Sequence, residues 1–458
     1  MNETSVQNEK FLWMTTSPVE GLICRLAIPT ITVMLISAMY NMADTFFVSF
    51  LGTSATAAVG IVFPLMAVIQ AVGFMFGNGS GNYISRELGA QRYDNASKMA
   101  ATGFVSALIA GGCISLIGNI FIDPLTLALG ASHSILPHAR DYMRFILLGA
   151  PFMASSLMLN NLLRYQGSAF YGMIGMVSGA LVNMGLDPLF IFVLNLGTGG
   201  ASLATMLSQT VSFSLLLLGC TKSGNVRIRP RDFSPGIALY REIVRGGFPS
   251  LCRQGLASVA SIFVNQRAVL YGDAAVAALS IVHRLTIVSQ SALVGFGQGF
   301  QPVCGFNYGA RRYDRVRRAF WFCNKAAGLP LLILALGGFI FAPRIIGIFQ
   351  LDDKRVMEIG IFSLRLHCWI FPFMGWFTLS NMMMQTIGRA FRASLLAVSR
   401  QGLFLLPLLF FLEPALGLFG IQLTQPCADA AAVLLSLPLC IPVLREMKQA
   451  EESQEPPE

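Results

Sequence analysis

Gly89-Ala90-Gln91-Arg92-Tyr93-Asp94 closes one long apolar stretch of the chain, and Gly309-Ala310-Arg311-Arg312-Tyr313-Asp314 closes another, 220 residues later. Extending that register outward aligns 51–100 with 271–320 without a gap, and seventeen of the fifty positions are identical. Among them are Gly52/Gly272, Ala57/Ala277, Gln70/Gln290, Phe76/Phe296, Gly77/Gly297 and Gly79/Gly299. Shared composition does not produce so many matches, so the chain is an internal duplication.

The solvent of the duplicated unit follows from composition. Of 458 residues 54% are hydrophobic and 12% are charged, whereas a soluble domain carries about 25% charge. A chain surrounded by lipid needs charge only at the ends of its spans and in its loops. Apolar stretches long enough to cross a core of about 30 Å, at about 20 residues each, fall near 22–49, 55–84, 98–121, 140–162, 168–194, 200–220, 242–270, 275–303, 319–341, 359–386, 393–412 and 418–444. The expected fold class is therefore all-α and integral to the membrane, with twelve transmembrane helices. Six spans per half is an even number, so the two six-helix lobes insert in the same sense and are related by a pseudo-twofold along the membrane normal. The chain divides into a polar segment 1–20, an amino lobe 21–221, a basic linker 222–239, a carboxy lobe 240–445 and a tail 446–458 that is expected to be disordered.

Loop charge sets the orientation. The connectors after spans two, six and eight carry Arg86, Arg92 and Lys98, then Lys222, Arg227, Arg229 and Arg231, then Arg311, Arg312, Arg315, Arg317 and Arg318. Those after spans one, five, seven and eleven hold no Lys or Arg; one connector dissents, after span nine, with Arg344, Lys354 and Arg355. The positive-inside rule then places both termini in the cytoplasm of a multi-pass protein of the plasma membrane, the inner membrane in a bacterium. The net charge of +9 is explained by topology, and nucleic acid is not an expected partner. Nine cysteines form no CxxC pair, four histidines are scattered, and no HExxH or GxSxG motif occurs, so neither a zinc site nor an enzyme is expected.

Ionisable residues inside spans are costly and mark functional sites by default. In the first half these are Asp44 in span one and Asp187 in span five, with Asn183 one helical turn before Asp187. Pro188 frees the carbonyl of Met184, four residues back. Two carboxylates in low dielectric cannot both stay ionised without a cation, so the set is expected to bind H⁺ or Na⁺. The alternative is that each Asp hydrogen-bonds a neighbouring helix. The second half departs from this pattern. Spans seven and eight carry Arg253, Gln254, Asn265, Arg267, His283 and Arg284, and span eleven carries Arg400, for which Asp429 in span twelve is the expected partner. Coupling chemistry is thus expected in the first lobe alone. Gly77-Asn78-Gly79-Ser80-Gly81 has neither the strand nor the lysine of a phosphate loop, and close helix packing accounts for it better.

Several motifs occur together in a recognisable order. They are Tyr40-Asn41-Met42-Ala43-Asp44-Thr45, Ala57-Ala58-Val59-Gly60, Ser85-Arg86-Glu87-Leu88-Gly89-Ala90, Val182-Asn183-Met184-Gly185-Leu186-Asp187-Pro188, Gly200-Ala201-Ser202-Leu203-Ala204-Thr205 and Gly246-Gly247-Phe248-Pro249-Ser250. From about Glu20 to Arg445 the chain resembles the multidrug and toxic compound extrusion (MATE) family of efflux transporters. The resemblance implies an antiporter that exports drug-like, cationic or amphipathic small molecules against H⁺ or Na⁺, without a resident cofactor, as a monomer in the lipid bilayer. It places the cation site on Asp44, Asn183, Asp187 and Thr205, a possible Na⁺ site, and the bending proline at Pro29. Tyr40, Asn41, Gln70, Arg253, Gln254, Asn265 and Arg267 are candidates to line the substrate cleft. The acidic residues that one branch of the family carries in spans seven and ten have no counterpart here. The alternative within the broader superfamily is a flippase for lipid-linked saccharides.

Overall fold

The computed structural model describes residues 3–132, 135–222, 226–349 and 353–453. Among these the chain is helical almost throughout, as a backbone in hydrocarbon must be when no water is present to satisfy its polar groups. The amino lobe holds span one (Val19–Ser49), two (Thr53–Gly89), three (Tyr93–Ile120), four (Leu136–Tyr165), five (Ala169–Pro188, continued by a π-helical turn Leu189–Val193) and six (Gly197–Lys222). The carboxy lobe holds seven (Ile237–Val269), eight (Asp273–Gly309), nine (Tyr313–Ile340), ten (Lys354–Ile370 with Met374–Thr386), eleven (Ala390–Val398, a π-helical stretch Ser399–Leu405, then Leu406–Leu416) and twelve (Leu418–Glu452). Eleven of the twelve are long and apolar enough to cross a bilayer. Span seven falls short on composition, because Arg241, Glu242, Arg245, Arg253 and Arg267 all lie within it.

The duplication is visible in backbone detail. Gly52 and Gly272 take φ of 105° and 92° before spans two and eight, and Gln91 and Arg311 both take φ of 58° after them. Left-handed backbone at a non-glycine residue is uncommon, so its recurrence at equivalent positions marks one turn built twice. Gly167 and Gly388, after spans four and ten, repeat the pattern at 78° and 84°. Spans five and eleven both break into π-helix, which inserts a residue per turn and re-aims the side chains around it.

Two segments depart from the sequence expectation. An amino-terminal helix, α1 (Glu3–Thr16), occupies the polar leader. The tail expected to be disordered from 446 is instead helical to Glu452, while 454–458 lie outside the described residues. The correction has an electrostatic cause: Glu451 meets Arg317 at 2.9 Å, Glu446 meets Arg389, and Lys448 pairs with Glu452 one turn on, so the acidic tail docks on basic loops.

The lobes meet at the end of the molecule that carries both termini, and glycine permits it. A Cβ on Gly79 would lie 2.2 Å from the Ile243 carbonyl oxygen, one on Gly247 2.1 Å from that of Met75, and one on Gly309 2.0 Å from that of Arg86. Gly299 presses equally on Ala27 of span one. The glycine run of span two is thereby a packing device, with Gly77 against Asn161 and Gly81 against Tyr165.

Candidate functional site

Spans one, four, five and six bring together a buried polar cluster in the half of the amino lobe remote from the termini. Asp44 stands near the far end of span one, and Asp187 sits immediately before the proline and π-turn of span five. Asp187 and Asn183 are fully buried and Asp44 nearly so. Asp187 Oδ2 accepts from Asn183 Nδ2 at 3.0 Å while the Asn183 amide oxygen accepts from the Thr205 backbone N–H at 3.2 Å. That amide orientation is the one its neighbours satisfy on both sides. The Tyr40 hydroxyl is hydrogen-bonded to the Thr205 side chain and lies within electrostatic reach of both carboxylates.

Asp44 Oδ2 accepts from the Tyr142 hydroxyl at 3.3 Å, and Asp44 Oδ1 is buried with no hydrogen-bond partner among the described residues. A buried carboxylate oxygen with no donor is expensive. Neither Asp44 nor Asp187 has a Lys or Arg partner among the described residues, and Asp187 lies within electrostatic reach of Asp44. The cluster therefore has the chemistry of a cation receiver: two carboxylates, an amide, hydroxyls and one unsatisfied oxygen, with no built-in positive charge. These oxygen donors suit H⁺ or an alkali ion, and no group of three His, Cys, Asp or Glu side chains among the described residues suits a transition metal.

The structure thus brings together Asp44, Asn183, Asp187, Thr205 and Tyr40. Tyr142 was not singled out in the sequence; its only signal there was a phenol inside an apolar span. Gln70 is half-buried on span two, and the side chain of Asn41 lies outside the described residues. Pro29 is buried within an unbroken span one, where Thr30 Oγ1 donates to the Gly295 carbonyl of span eight at 2.6 Å.

The basic residues of the carboxy lobe separate into two groups. Arg400 forms a forked pair with Asp429 at 2.7 and 3.3 Å, to which Gln425 adds a bond of 2.7 Å, as the sequence suggested. Arg267, a candidate for the cleft, is instead tied within its own lobe: Glu413 lies 3.5 Å away and the Phe410 ring 5.1 Å beneath the guanidinium. The polar Glu413-Pro414 turn supplies the counter-charge. Arg253 has no hydrogen-bond or ion-pair partner among the described residues and sits beside Tyr165 and Arg164. Asn265 is exposed and Gln254 half-buried on the same span.

Between the lobes lies a second network that sequence reasoning missed. Arg164, 1% exposed at the end of span four, donates to Gln298 O at 3.2 Å, Gln301 Oε1 at 2.6 Å and Asn78 Oδ1 at 3.0 Å, and also to Asn161. The Gln298 carbonyl is free because Pro302, four residues on, has no N–H to offer it. Asn78 continues the chain to Ser250 at 3.0 Å, and Gln385 reaches the same hydroxyl at 2.8 Å. Arg164 reads as the end of a span before a loop, so nothing local distinguished it from a topology-setting arginine.

A twelve-helix duplicated bundle with this paired-carboxylate cluster can be compared with known proteins. The MatE family model matches residues 29–189 and 249–419, once in each lobe. The chain belongs to the MatE family. The multidrug export protein MepA of Staphylococcus aureus (strain MRSA252) is 24% identical over 451 residues, covering 98% of this chain and 99% of the relative. MepA of Staphylococcus haemolyticus (strain JCSC1435) is 26% identical over 437 residues, 94% of this chain and 95% of that protein. Among solved structures, a MATE protein in complex with MaL6 superposes with a TM-score of 0.90 at 27% identity, covering 96% of this chain and 99% of that one. An outward-facing multidrug resistance MATE family transporter of the MOP superfamily gives 0.89, also at 27% identity, with 96% and 98% covered. As a MatE protein the chain is a multi-pass membrane transporter with two lobes, not an enzyme.

Proposed function

We propose that this MatE protein is a cation-coupled antiporter that exports drug-like amphipathic or cationic small molecules across the plasma membrane, with both termini cytoplasmic. The observation that carries the reading is the buried cluster of Asp44, Asn183, Asp187 and Thr205, which among the described residues has an unsatisfied carboxylate oxygen and no counter-charge. A cation entering there offsets one of the two buried carboxylate charges, and the bound and empty forms then favour different arrangements of the surrounding spans. Close contact between the lobes at the terminal end, together with cytoplasmic termini, supports an outward-facing arrangement in an alternating-access cycle. A voltage of 100 mV contributes about 2.3 kcal/mol for each charge returned inward. The names of the staphylococcal relatives support a multidrug cargo, and the resemblance supports H⁺ or Na⁺ as the ion.

The test is dye efflux from loaded vesicles driven by an imposed H⁺ or Na⁺ gradient. Asp44→Asn and Asp187→Asn should each abolish gradient-driven efflux, and repeating the wild-type assay in Na⁺-free buffer assigns the ion. Undiminished efflux in both variants would sink the mechanism.

A further inference from the structure

Helix α1 is not simply a polar leader. Its last turn is held by the carboxy lobe: Asn307 Nδ2 donates to Met14 O at 3.2 Å, and Arg312 Nη1 to Thr15 O at 2.8 Å. Its other flank faces the amino lobe, where Lys10 Nζ bonds Ser168 Oγ and Arg25 of span one lies 5.5 Å over the Trp13 ring. The helix is a strap across both lobes at their closed end.

Beneath the strap runs an open groove of about 680 Å³, lined among others by Lys10, Trp13, Arg25, Pro29, Ser168 and Phe170. Three properties define what it takes. Among the described residues its two cations have no carboxylate partner: the Lys10 ammonium bonds a hydroxyl, and Arg25 lies over an aromatic ring. Burial without a counter-ion pulls Lys10 down to about 8, which still leaves it charged at neutral pH. Glu9 also borders the groove, and among the described residues it forms no salt bridge with either cation. Apart from Glu9 and Ser168 the rest of the wall is largely apolar, with Trp13, Leu26, Pro29 and Phe170, and Phe170 and the neighbouring Ile28 are 58% and 65% exposed. Phe170 is the second residue of span five, at the depth of lipid headgroups, and Ile28 lies deeper along span one. Gly167, at φ 78°, brings the floor to within reach of Lys10 and Trp13.

We infer that this groove binds one anionic phospholipid, its phosphate held between Lys10 and Arg25 and an acyl chain laid along Phe170 and Leu26. A phosphodiester matches the paired cations, the acyl chain matches the apolar wall, and neither a soluble anion nor a zwitterionic lipid matches both. The bound lipid joins the strap to span one beside Pro29. It therefore favours the arrangement in which the terminal end is closed.

The experiment is native mass spectrometry of the full chain released from mixed micelles of phosphatidylcholine and phosphatidylglycerol with identical acyl chains. The wild type should retain phosphatidylglycerol over phosphatidylcholine by about tenfold or more, as two basic groups near an anionic headgroup supply. Lys10→Gln/Arg25→Gln should reduce that preference to near unity, and Lys10→Arg/Arg25→Lys should keep it. Inorganic phosphate at equal concentration should not compete. Absence of a phosphatidylglycerol preference in the wild type overturns the proposal without recourse to any variant. A preference unchanged in Lys10→Gln/Arg25→Gln overturns it too, and competition by inorganic phosphate would reassign the site to a soluble anion.

Discussion

Replacing Arg164 by Met tests the inter-lobe network. The substitution keeps an unbranched side chain but removes the donors to Gln298 O and Gln301 Oε1, both on the opposite lobe. Asn78 Oδ1 keeps a donor, because the Tyr165 hydroxyl lies 3.2 Å from it. The Gln298 carbonyl has no helical donor to fall back on, since residue 302 is proline. An orphaned buried acceptor costs about 1–3 kcal/mol, and loss of the second bond adds about 1. When the lobes part at the terminal end water reaches both groups, so the penalty falls on the closed arrangement alone. A shift of about 3 kcal/mol changes the ratio of the two arrangements by about a hundredfold. The native cysteines report it. Cys304 is fully buried beside Tyr165 and Arg86 at the lobe junction, whereas Cys220 and Cys440 are buried within single lobes. In Arg164→Met, maleimide labelling of Cys304, followed peptide by peptide by mass spectrometry, should accelerate strongly while Cys220 and Cys440 stay protected. Labelling of Cys304 at the wild-type rate, in protein whose control cysteines remain protected, would refute the assignment of Arg164 as the tie between lobes.

Further outcomes follow from the same contacts. Gly309→Ala places a methyl 2.0 Å from the Arg86 carbonyl oxygen, so it should also speed labelling of Cys304 and slow efflux, while the fold survives. Asp429→Asn should lower the melting temperature measurably, because it leaves the half-buried Arg400 without the charge of its partner. Arg400→Met/Asp429→Leu should recover most of that loss, the pattern expected when a buried ion pair is removed whole rather than broken. Tyr142→Phe deletes the one donor that Asp44 has among the described residues, and gradient-driven efflux should fall several-fold without the complete loss expected of Asp44→Asn. Glu451→Ala breaks a surface pair with Arg317 that contributes no more than about 1 kcal/mol, and thermal stability should barely change.

How much was legible in the chain depends on the range over which each signal acts. Span number and the duplication are local or periodic properties: a run of about 20 apolar residues must cross the bilayer whatever packs beside it, and identity at a fixed offset needs no coordinates. Asn183 and Asp187 share a helix turn, so their proximity was legible as well. The pairing of Arg400 with Asp429 was inferable because each would be intolerable alone. By contrast, the helical tail to Glu452 depends on Arg317 and Arg389, more than fifty residues away in sequence, and composition alone pointed to disorder.

The sequence by itself determined a twelve-span, two-lobe membrane transporter with its paired intramembrane carboxylates in one half, because insertion costs and helical periodicity act residue by residue. The tertiary structure alone decided which polar groups meet. Tyr142 reaches Asp44 from span four, Arg164 ties one lobe to a carbonyl that a proline freed in the other, and α1 straps both lobes over a cationic groove. Each of these contacts joins residues roughly a hundred or more positions apart, and only the packing of whole helices sets such distances.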